Sequence, residues 1–433
     1  MKRLLIGFCI VIFSLPALKA QELTLNPYSR YALGDILSAT TTRNAAMGGV
    51  GVATDNYFSI NPINPATYAD MLFTTMDFTT FGHFVQLRTD DQTENQVTAG
   101  FQNLAFAFPS TNKFVLTMGF TPYSAVGYEV QTLSPVKVED TTVIERTIYS
   151  AKGGLNQAFI GGATRLLKQR LRIGANLKYA FGNTQYLWNS QLLTPDSNQV
   201  IPAFNPVSVT EDAFIRGFSG QIGIIYEDTI NRAKNRLFRI GATTEYALNM
   251  GGDRFTTFST GFIDDTLRTQ ETGDVVVPPS FALGILINQP GEWSIAADFT
   301  YQDWSQFTYF SDDIILGRQV KISGGAEWIP NIESPKYLNR MDYRIGGYWR
   351  QSYITFDGVA VNDYGVTVGI GLPAGLKGNS RFNRGRSVSR VNISGEFGRQ
   401  GSLASGLPLE SLYARVRLGV TLNDRWFIRR VVD

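Results

Sequence analysis

Apolar and polar residues alternate along most of the chain from about residue 72 onward. Between Leu171 and Phe181, every odd position is apolar or aromatic, whereas the even positions are charged, polar or small. The stretch from Leu412 to Leu422 follows the same rule at its even positions. A period of two residues predicts β-strands with one apolar face and one polar face.

The alternating stretches are longer than the strands of soluble sheets. They run for roughly 10–16 residues, against about 5–6 in a soluble strand, and a tilted strand of that length spans a bilayer. We therefore predict an all-β fold, a transmembrane antiparallel β-barrel of about 14 strands. The predicted strands lie near residues 72–87, 96–110, 112–130, 152–167, 171–189, 212–227, 236–248, 276–289, 292–307, 317–329, 341–355, 360–373, 387–399 and 408–423.

The segments between these strands predict the orientation of the barrel. Short polar turns at 110–113, 167–170 and 289–292 are typical of the periplasmic side. The long polar connections near 131–151, 190–211 and 249–275 are expected to be extracellular loops. A long, basic connection at 374–389 falls on the periplasmic side.

Composition and the N-terminus narrow the cellular location. The net charge of +2 gives no electrostatic reason to expect a nucleic-acid partner. Residues 1–20 have the charged start, apolar centre and small-residue end of a secretory signal peptide. Cys9 lies in that segment, so the exported chain is expected to have no thiol chemistry. We predict a barrel in the outer membrane of a Gram-negative bacterium, in contact with its lipid.

The polar face of the strands carries charges of both signs. It is predicted to hold Asp77, Arg172, Lys178, Arg239, Glu245, Asp298, Lys321, Glu327, Arg344, Arg350, Glu396, Arg415 and Arg417. One interpretation is a network of ion pairs across the lumen, since opposite charges on neighbouring strands stabilise a sheet. The other is that some cations bind an anionic ligand head group. The candidates for that second role are Arg172, Lys178, Arg239, Arg344, Arg415 and Arg417.

Residues 21–70 do not alternate and differ in kind from the barrel that we assign to 71–433. They are poor in charge and contain a glycine-rich stretch with Gly48, Gly49 and Gly51. Two Asn-Pro steps follow, Asn61-Pro62 and Asn64-Pro65. Asn-Pro favours turns, and proline lacks the N–H that strand pairing needs. We expect this segment to fill the lumen, and the Asn-Pro steps to turn the chain into the wall; a plain linker turn is the alternative.

The glycine-rich segment, followed by Asn64-Pro65-Ala66 and then the first strand, resembles the FadL-type outer-membrane transporters of hydrophobic compounds. The hairpin around Gly153-Gly154-Leu155-Asn156 and Leu171–Ala175 is also similar to that family. The opening Asn26–Tyr31 resembles a divergent Bacteroidetes-type branch. The resemblance implies an N-terminal hatch inside a fourteen-stranded barrel, with Asn64, Pro65 and Ala66 in the hatch motif.

Two functions remain open at this point. The resemblance implies passive transport of long-chain fatty acids or other hydrophobic small molecules by a monomer, with capture in an extracellular groove and lateral exit through the wall. Pro122 interrupts a strand and is our candidate for a kink there, with a simple bulge as the alternative. The second hypothesis is a barrel subunit of a secretion or surface-attachment complex that binds a protein partner through its extracellular loops. A polar interior without a ligand pocket would favour the second.

Enzymatic activity is not expected. The only histidine is His83, on the first strand, and no Gly-x-Ser-x-Gly motif accompanies it. One histidine and one cysteine, which lies in the signal segment, also give no metal site. We predict no catalytic residues, no metal and no cofactor.

Overall fold

The computed structural model describes residues 23–55, 57–110, 114–138, 141–194, 200–201, 205–247, 249–261, 266–374 and 389–424. The predicted signal peptide, most of the 110–113 turn and most of the basic connection at 374–389 lie outside these residues. No helix of the described part is long and apolar enough to cross a membrane.

The strands are numbered in chain order. They are β1 (Asp35–Ile36), β2 (Thr74–Arg88), β3 (Thr93–Pro109), β4 (Phe114–Pro122), β5 (Ser124–Val138), β6 (Thr141–Leu166), β7 (Leu171–Leu193), β8 (Val207–Asn231), β9 (Arg236–Ala247), β10 (Met250–Thr260), β11 (Thr266–Val276), β12 (Ser280–Gln289), β13 (Trp293–Asp303), β14 (Thr308–Tyr309), β15 (Arg318–Trp328), β16 (Asp342–Phe356), β17 (Val359–Ala374), β18 (Ser389–Gln400) and β19 (Glu410–Asp424). One short α-helix, α1 (Thr42–Ala45), accompanies them. Short 3₁₀ helices cover Pro27–Arg30, Pro65–Asp70, Trp304–Gln306, Leu338–Arg340 and Leu403–Ser405.

The wall is one antiparallel sheet that closes on itself where β19 pairs with β2, from Asp424↔Thr74 to Glu410↔Arg88. Three wall strands each consist of two segments, namely β4 with β5, β9 with β10, and β11 with β12. The described residues thus form a closed barrel of fourteen antiparallel wall strands, which confirms the predicted fold class. Closure removes the unpaired edges that an open sheet would leave in a bilayer.

The alternation sorts residues between lipid and lumen as predicted. Leu177 and Ile222 point outward and are 54% exposed. Arg172 and Asn176, one position out of phase with Leu177, are buried inside. An outward apolar band with a polar interior is what a barrel needs when lipid surrounds it.

The expectation of long extracellular loops is wrong over much of their length. β5 and β6 stay paired as far as Val138↔Thr141, and β10 and β11 as far as Ser259↔Thr266. The strands of these hairpins do not alternate between apolar and polar residues, because both of their faces lie beyond the predicted lipid zone. Their many Thr, Val and Ile residues still favour strands. The short turns at 167–170 and 289–292 are present as predicted.

Residues 23–73, called the N-terminal segment here, pack against the inner face of the wall. Ile60, Tyr68 and Met71 form one buried cluster with side chains that include Phe159. Met47 and Val50 form another with Leu286 and Ala296. Burial of these apolar side chains holds the segment inside the lumen.

Candidate functional site

The wall carries a ring of inward-facing glycines at the level of the N-terminal segment. They are Gly174, Gly223, Gly241, Gly284, Gly325, Gly346, Gly369 and Gly419, each on a different wall strand. A β-carbon at Gly346 would lie 2.3 Å from the backbone nitrogen of Gly48, and one at Gly174 would lie 2.4 Å from the carbonyl oxygen of Pro65. At four members of the ring the segment contacts the wall through its backbone, at a distance that only glycine allows: Gly174, Gly241, Gly325 and Gly346.

A buried ion cluster joins the end of the N-terminal segment to β7, β8 and β9. Asp70, which is fully buried, accepts hydrogen bonds at 2.5 Å from both Arg172 and Arg239. Glu227 binds the same two guanidinium groups at 3.1 and 2.6 Å. Burial raises the pKa of Asp70, but the charges of Arg239, Arg172 and Arg165 outweigh it and lower the pKa below its usual value. The carboxylate is thus held charged as a link between segment and wall.

A second ion cluster joins α1 to β15 and β16. Arg43 contacts Glu327 at 2.7 Å and Asp55 at 3.2 Å. Glu327 also accepts a hydrogen bond from Arg344 at 2.6 Å, and Arg344 contacts Asp342 at 2.7 Å. Burial alone would lower the pKa of Arg43, but the two carboxylates raise it. Each charge in the cluster has an opposite partner.

The predicted glycines make the third attachment. Asp298 of β13 accepts hydrogen bonds from the backbone N–H groups of Gly51 and Val52, at 2.6 and 2.9 Å. Gly48 donates its N–H to the hydroxyl of Thr367 at 2.8 Å. Gly48 and Gly49 have φ of 74° and 81°, a left-handed conformation that glycine adopts without strain.

Both Asn-Pro steps are turns that tie back onto the glycine-rich stretch. The Asn61 amide donates to the carbonyl of Gly51 at 2.6 Å, and the Asn64 amide donates to the carbonyl of Val52 at 2.6 Å. The Asn64 side chain also accepts from the N–H of Ala66 and caps the 3₁₀ helix that begins at Pro65. Asparagine with a following proline suits this geometry. The turns thus organise the N-terminal segment; their role as a hinge stays a prediction.

These three attachments and the glycine ring form the lower closure of the lumen. An upper closure lies toward the long hairpins, the end that we take as extracellular. There, Trp304 is fully buried and stacks on Tyr353 at 4.2 Å between ring centroids. The Tyr353 hydroxyl donates to the carbonyl of Gly34, and that of Tyr28 to the carbonyl of Leu409. Phe307 and Leu316 belong to the same apolar cluster, which fills the mouth with side chains from the wall, the β13–β15 connection and the N-terminal segment.

The wall is interrupted at Pro122. β4 pairs with β3 from Val115 to Phe120, but β5, which resumes at Ser124, pairs with β6 and no longer with β3 among the described residues. β1 of the N-terminal segment pairs with β5 at this point, with Ile36 opposite Ser124. The segment therefore occupies part of the edge that β3 leaves free. Whether Pro122 marks an exit for a ligand stays a prediction.

Two cavities, of about 150 and 260 Å3, lie between the closures. Both are lined by Ile36, Leu37 and Ser38 and by Pro122, so the two spaces meet at the interrupted wall. Lys321 also lines both cavities. No ion pair of its ammonium is found within the described chain, and its nearest aromatic contact is the Tyr348 ring at 5.0 Å.

The six cations proposed from sequence fall into two groups. Arg172, Arg239 and Arg344 are each paired with carboxylates in the ion clusters of the lower closure. Lys178, Arg415 and Arg417 line cavities. Of these, Lys178 pairs with Glu245 at 2.8 Å, and Arg417 and Arg415 lie 2.5 and 3.8 Å from Glu396. A ligand role for the second group stays a prediction.

Sequence reasoning put Lys321 and Arg350 on the lumen face but not among the ligand candidates. Both line the two cavities. Their strands, β15 and β16, are neighbours, and the residues stand opposite each other in the register. The alternation along each strand already placed both residues on the lumen face. Only the pairing of β15 with β16 shows that the two cations are adjacent.

Comparison with known proteins agrees with this architecture. The BamG family model matches residues 1–433. The chain belongs to the BamG family. No curated protein matches this BamG-family chain by sequence.

Several solved structures share this fold. The toluene transporter TodX of Pseudomonas putida matches at a TM-score of 0.55 and 15% identity, covering 89% of this chain and 98% of its own. A Pseudomonas aeruginosa FadL homologue matches at 0.56 and 11%, covering 90% and 99%. The CymD monoaromatic hydrocarbon channel matches at 0.54 and 13%, covering 89% and 98%. The BamG-family chain thus has a FadL-type barrel fold.

Proposed function

We propose that this BamG-family chain is a sealed outer-membrane barrel that acts as a subunit of a multi-protein secretion or surface assembly. The observation that carries the proposal is closure of the lumen at two levels. The upper closure is a continuous apolar cluster around Trp304. The lower closure is seated on glycines and fixed by buried ion clusters at Asp70 and Glu327.

The energetics of the lower closure favour a static segment. An opening hatch would have to separate Asp70 and Glu327 from the guanidinium groups that neutralise them inside the barrel. A hatch that opens in function needs closed and open states within a few kcal/mol of each other. Two buried ion clusters and the hydrogen bonds to Asp298 stabilise the closed state, which favours a segment that does not move.

The space between the closures also favours this proposal. The two cavities measure about 150 and 260 Å3. Each cavity alone is smaller than the roughly 300–1,000 Å3 usual for a site that binds a drug-sized ligand, and the two together reach the lower part of that range. Ion pairs such as Arg417–Glu396 and Lys178–Glu245 line them, so several of the charges that face the cavities are already paired. The paired charges favour the second hypothesis, whereas the cavities themselves are what the first hypothesis needs.

Gentle extraction from native membranes tests the proposal. We expect the barrel to elute in an assembly much larger than its own 48.0 kDa, with an empty lumen by native mass spectrometry. In a second assay, the purified barrel in liposomes should release entrapped small solutes no faster than protein-free liposomes. A lone barrel that carries an apolar ligand would contradict the proposal.

Passive transport of long-chain fatty acids or other hydrophobic small molecules is the second candidate. It is favoured by the two cavities that meet at the wall interruption beside Pro122. The TodX and CymD structures are titled as a toluene transporter and a hydrocarbon channel, which adds support by analogy. Under this candidate, Asn64→Ala would loosen the N-terminal segment and change uptake of a labelled fatty acid. A Gly82→Ala variant is the control, since a β-carbon there meets nothing within 4 Å.

The setting of the protein is part of the proposal. We place the barrel in the outer membrane of a Gram-negative bacterium of the Bacteroidetes type, as a single copy of the chain in its assembly. We assign it no catalytic role. The fold and its structural neighbours support the outer-membrane part of this setting.

A further inference from the structure

Six strands continue past the barrel as one sheet on one side of the mouth. They are β5, β6, β7, β8, β10 and β11. One apolar row crosses all six in register, each member standing opposite the next: Val130, Tyr149, Trp188, Val209, Phe258 and Leu267. With strands about 4.8 Å apart, the row is roughly 24 Å long.

The row lies on the face of the sheet that turns toward the barrel axis. The same parity places Tyr186 of β7 and Ile215 of β8 inside the molecule, where Ile215 belongs to the upper closure. Lower on this face, Phe310 covers Gly252 and Gly273. Val130, Phe258 and Leu267, toward the two ends of the row, are 36%, 44% and 67% exposed, whereas Tyr149, Trp188 and Val209 between them are partly buried. A contiguous apolar strip of this kind marks an interaction surface.

The charge beside the row selects the kind of partner. Arg254 is surrounded by three carboxylates: Glu211 at 3.8 Å, Asp312 at 2.7 Å, and Glu271, which it contacts closely. This cluster lies four residue pairs, roughly 13 Å along the strands, nearer the barrel than Phe258 and Leu267. Three acids around one guanidinium leave a net negative charge, which attracts lysine or arginine and disfavours a phosphorylated lipid.

We propose that the row is the docking site for an amphipathic helix of a partner protein, with basic residues on the helix flank that faces the carboxylates. The proposal rests on the proposed function and names the partner's chemistry. A helix lying across the row needs about 16 residues to span 24 Å, at 1.5 Å per residue. Its apolar residues would recur at i, i+3, i+4 and i+7 to follow the row.

Peptide binding to the full-length barrel in lipid nanodiscs tests the docking site. The probe is a synthetic peptide of about 18 residues with leucines at that spacing and lysines on one flank. The matched peptide has glutamates in place of the lysines, so both share the same apolar face. We expect the lysine peptide to bind at least about tenfold more tightly, as charge complementarity requires.

Two variants separate the row from the rest of the sheet. Phe258→Lys puts a charge in the row and should weaken binding of the lysine peptide at least about tenfold. Gln270→Lys adds the same charge on the opposite face of β11, where the residue is exposed, and should change binding by less than about twofold. Absent binding, or equal binding to wild type and Phe258→Lys, overturns the proposal. Both variants must migrate as folded barrels in unheated gels.

A photo-crosslinking amino acid at position 258 in intact cells identifies the occupant. A crosslink to a basic amphipathic helix of another protein supports the inference. A crosslink to a second copy of this chain, or to lipopolysaccharide, overturns it. The liposome-release assay is independent of these outcomes. A barrel that releases entrapped solutes but still binds the lysine peptide would contradict the sealed-barrel proposal and would still support the docking site.

Discussion

The two closures of the lumen are built from different interactions. The upper closure is a cluster of apolar and aromatic side chains, with Trp304 stacked on Tyr353. In the lower closure, the N-terminal segment packs directly against wall glycines such as Gly346 and is held there by buried ion pairs such as those of Asp70. Apolar packing tolerates changes of shape if volume is kept. Backbone contact and buried charge tolerate neither added atoms nor a missing partner. The two ends of the same lumen should therefore respond very differently to substitution.

The largest effect is expected at the ion cluster of the lower closure. Asp70→Asn removes the shared partner of Arg172 and Arg239 and should destabilise the barrel by up to about 5 kcal/mol, since it leaves buried cations undercompensated. Urea unfolding in lipid vesicles, followed by tryptophan fluorescence, measures the loss. Limited proteolysis should cut the N-terminal segment faster in the variant. An unchanged unfolding midpoint would show that the cluster contributes nothing net.

A smaller loss is expected in the upper closure. Trp304→Leu keeps an apolar side chain in the cluster and should cost about 2–3 kcal/mol, below the 3–5 kcal/mol typical of Trp→Ala. The same unfolding assay measures it. Susceptibility of the N-terminal segment to protease should stay near that of wild type, because the lower closure is intact. Release of the segment in this variant would mean that the two closures are coupled.

A substitution in the glycine ring tests the close backbone contact of the lower closure without changing any charge. Gly346→Ala places a methyl group against Gly48 and should cost about 1–3 kcal/mol through overpacking. Gly82→Ala is the matched control, because its β-carbon meets no atom within 4 Å. Equal stability of the two variants would show that the N-terminal segment sits more loosely than the structure indicates.

Acid should weaken the lower closure selectively. The pKa of Asp70 is lowered in the folded barrel, so its stabilising effect is fully present above the pKa of an unfolded aspartate, about 3.9. That contribution is lost as the pH falls below about 4 and through the folded pKa. Protease access to the N-terminal segment, measured from pH 7 down to pH 3, should rise in wild type. Asp70→Asn should flatten the rise, and an equally steep rise in that variant would assign it to other groups.

The smallest effect is expected at an exposed ion pair. Arg170 and Asp228 lie 3.5 Å apart, with side chains about half exposed. Asp228→Asn should leave the free energy of unfolding close to that of wild type, because solvent and salt screen such pairs. It serves as the charge-matched control for Asp70→Asn in the unfolding assay. If Asp228→Asn lowered the free energy of unfolding as much as Asp70→Asn does, burial would not explain why the inner cluster stabilises the barrel.

Much of the wall was predictable because its signal is local. The predicted strand at 341–355 agrees closely with β16 at Asp342–Phe356, and 360–373 agrees with β17 at Val359–Ala374. Lipid on one side and lumen on the other impose alternation within each strand. The hairpins beyond the lipid zone escaped prediction, since polarity on both faces was taken as a sign of loops. The division of the chain at residue 71 stays a prediction.

The sequence by itself determined the alternating strands of the wall and which face of the sheet each of their residues occupies. A period of two residues is visible within about ten neighbouring positions. It also marked the Asn-Pro turns at Asn61 and Asn64, whose shortest hydrogen bonds reach back 10 and 12 residues. Only the tertiary structure decided which charges meet: Asp70 and Arg239 are 169 residues apart, and Arg43 and Glu327 are 284 apart. Such pairings depend on the register of the closed barrel, which no local stretch of sequence specifies.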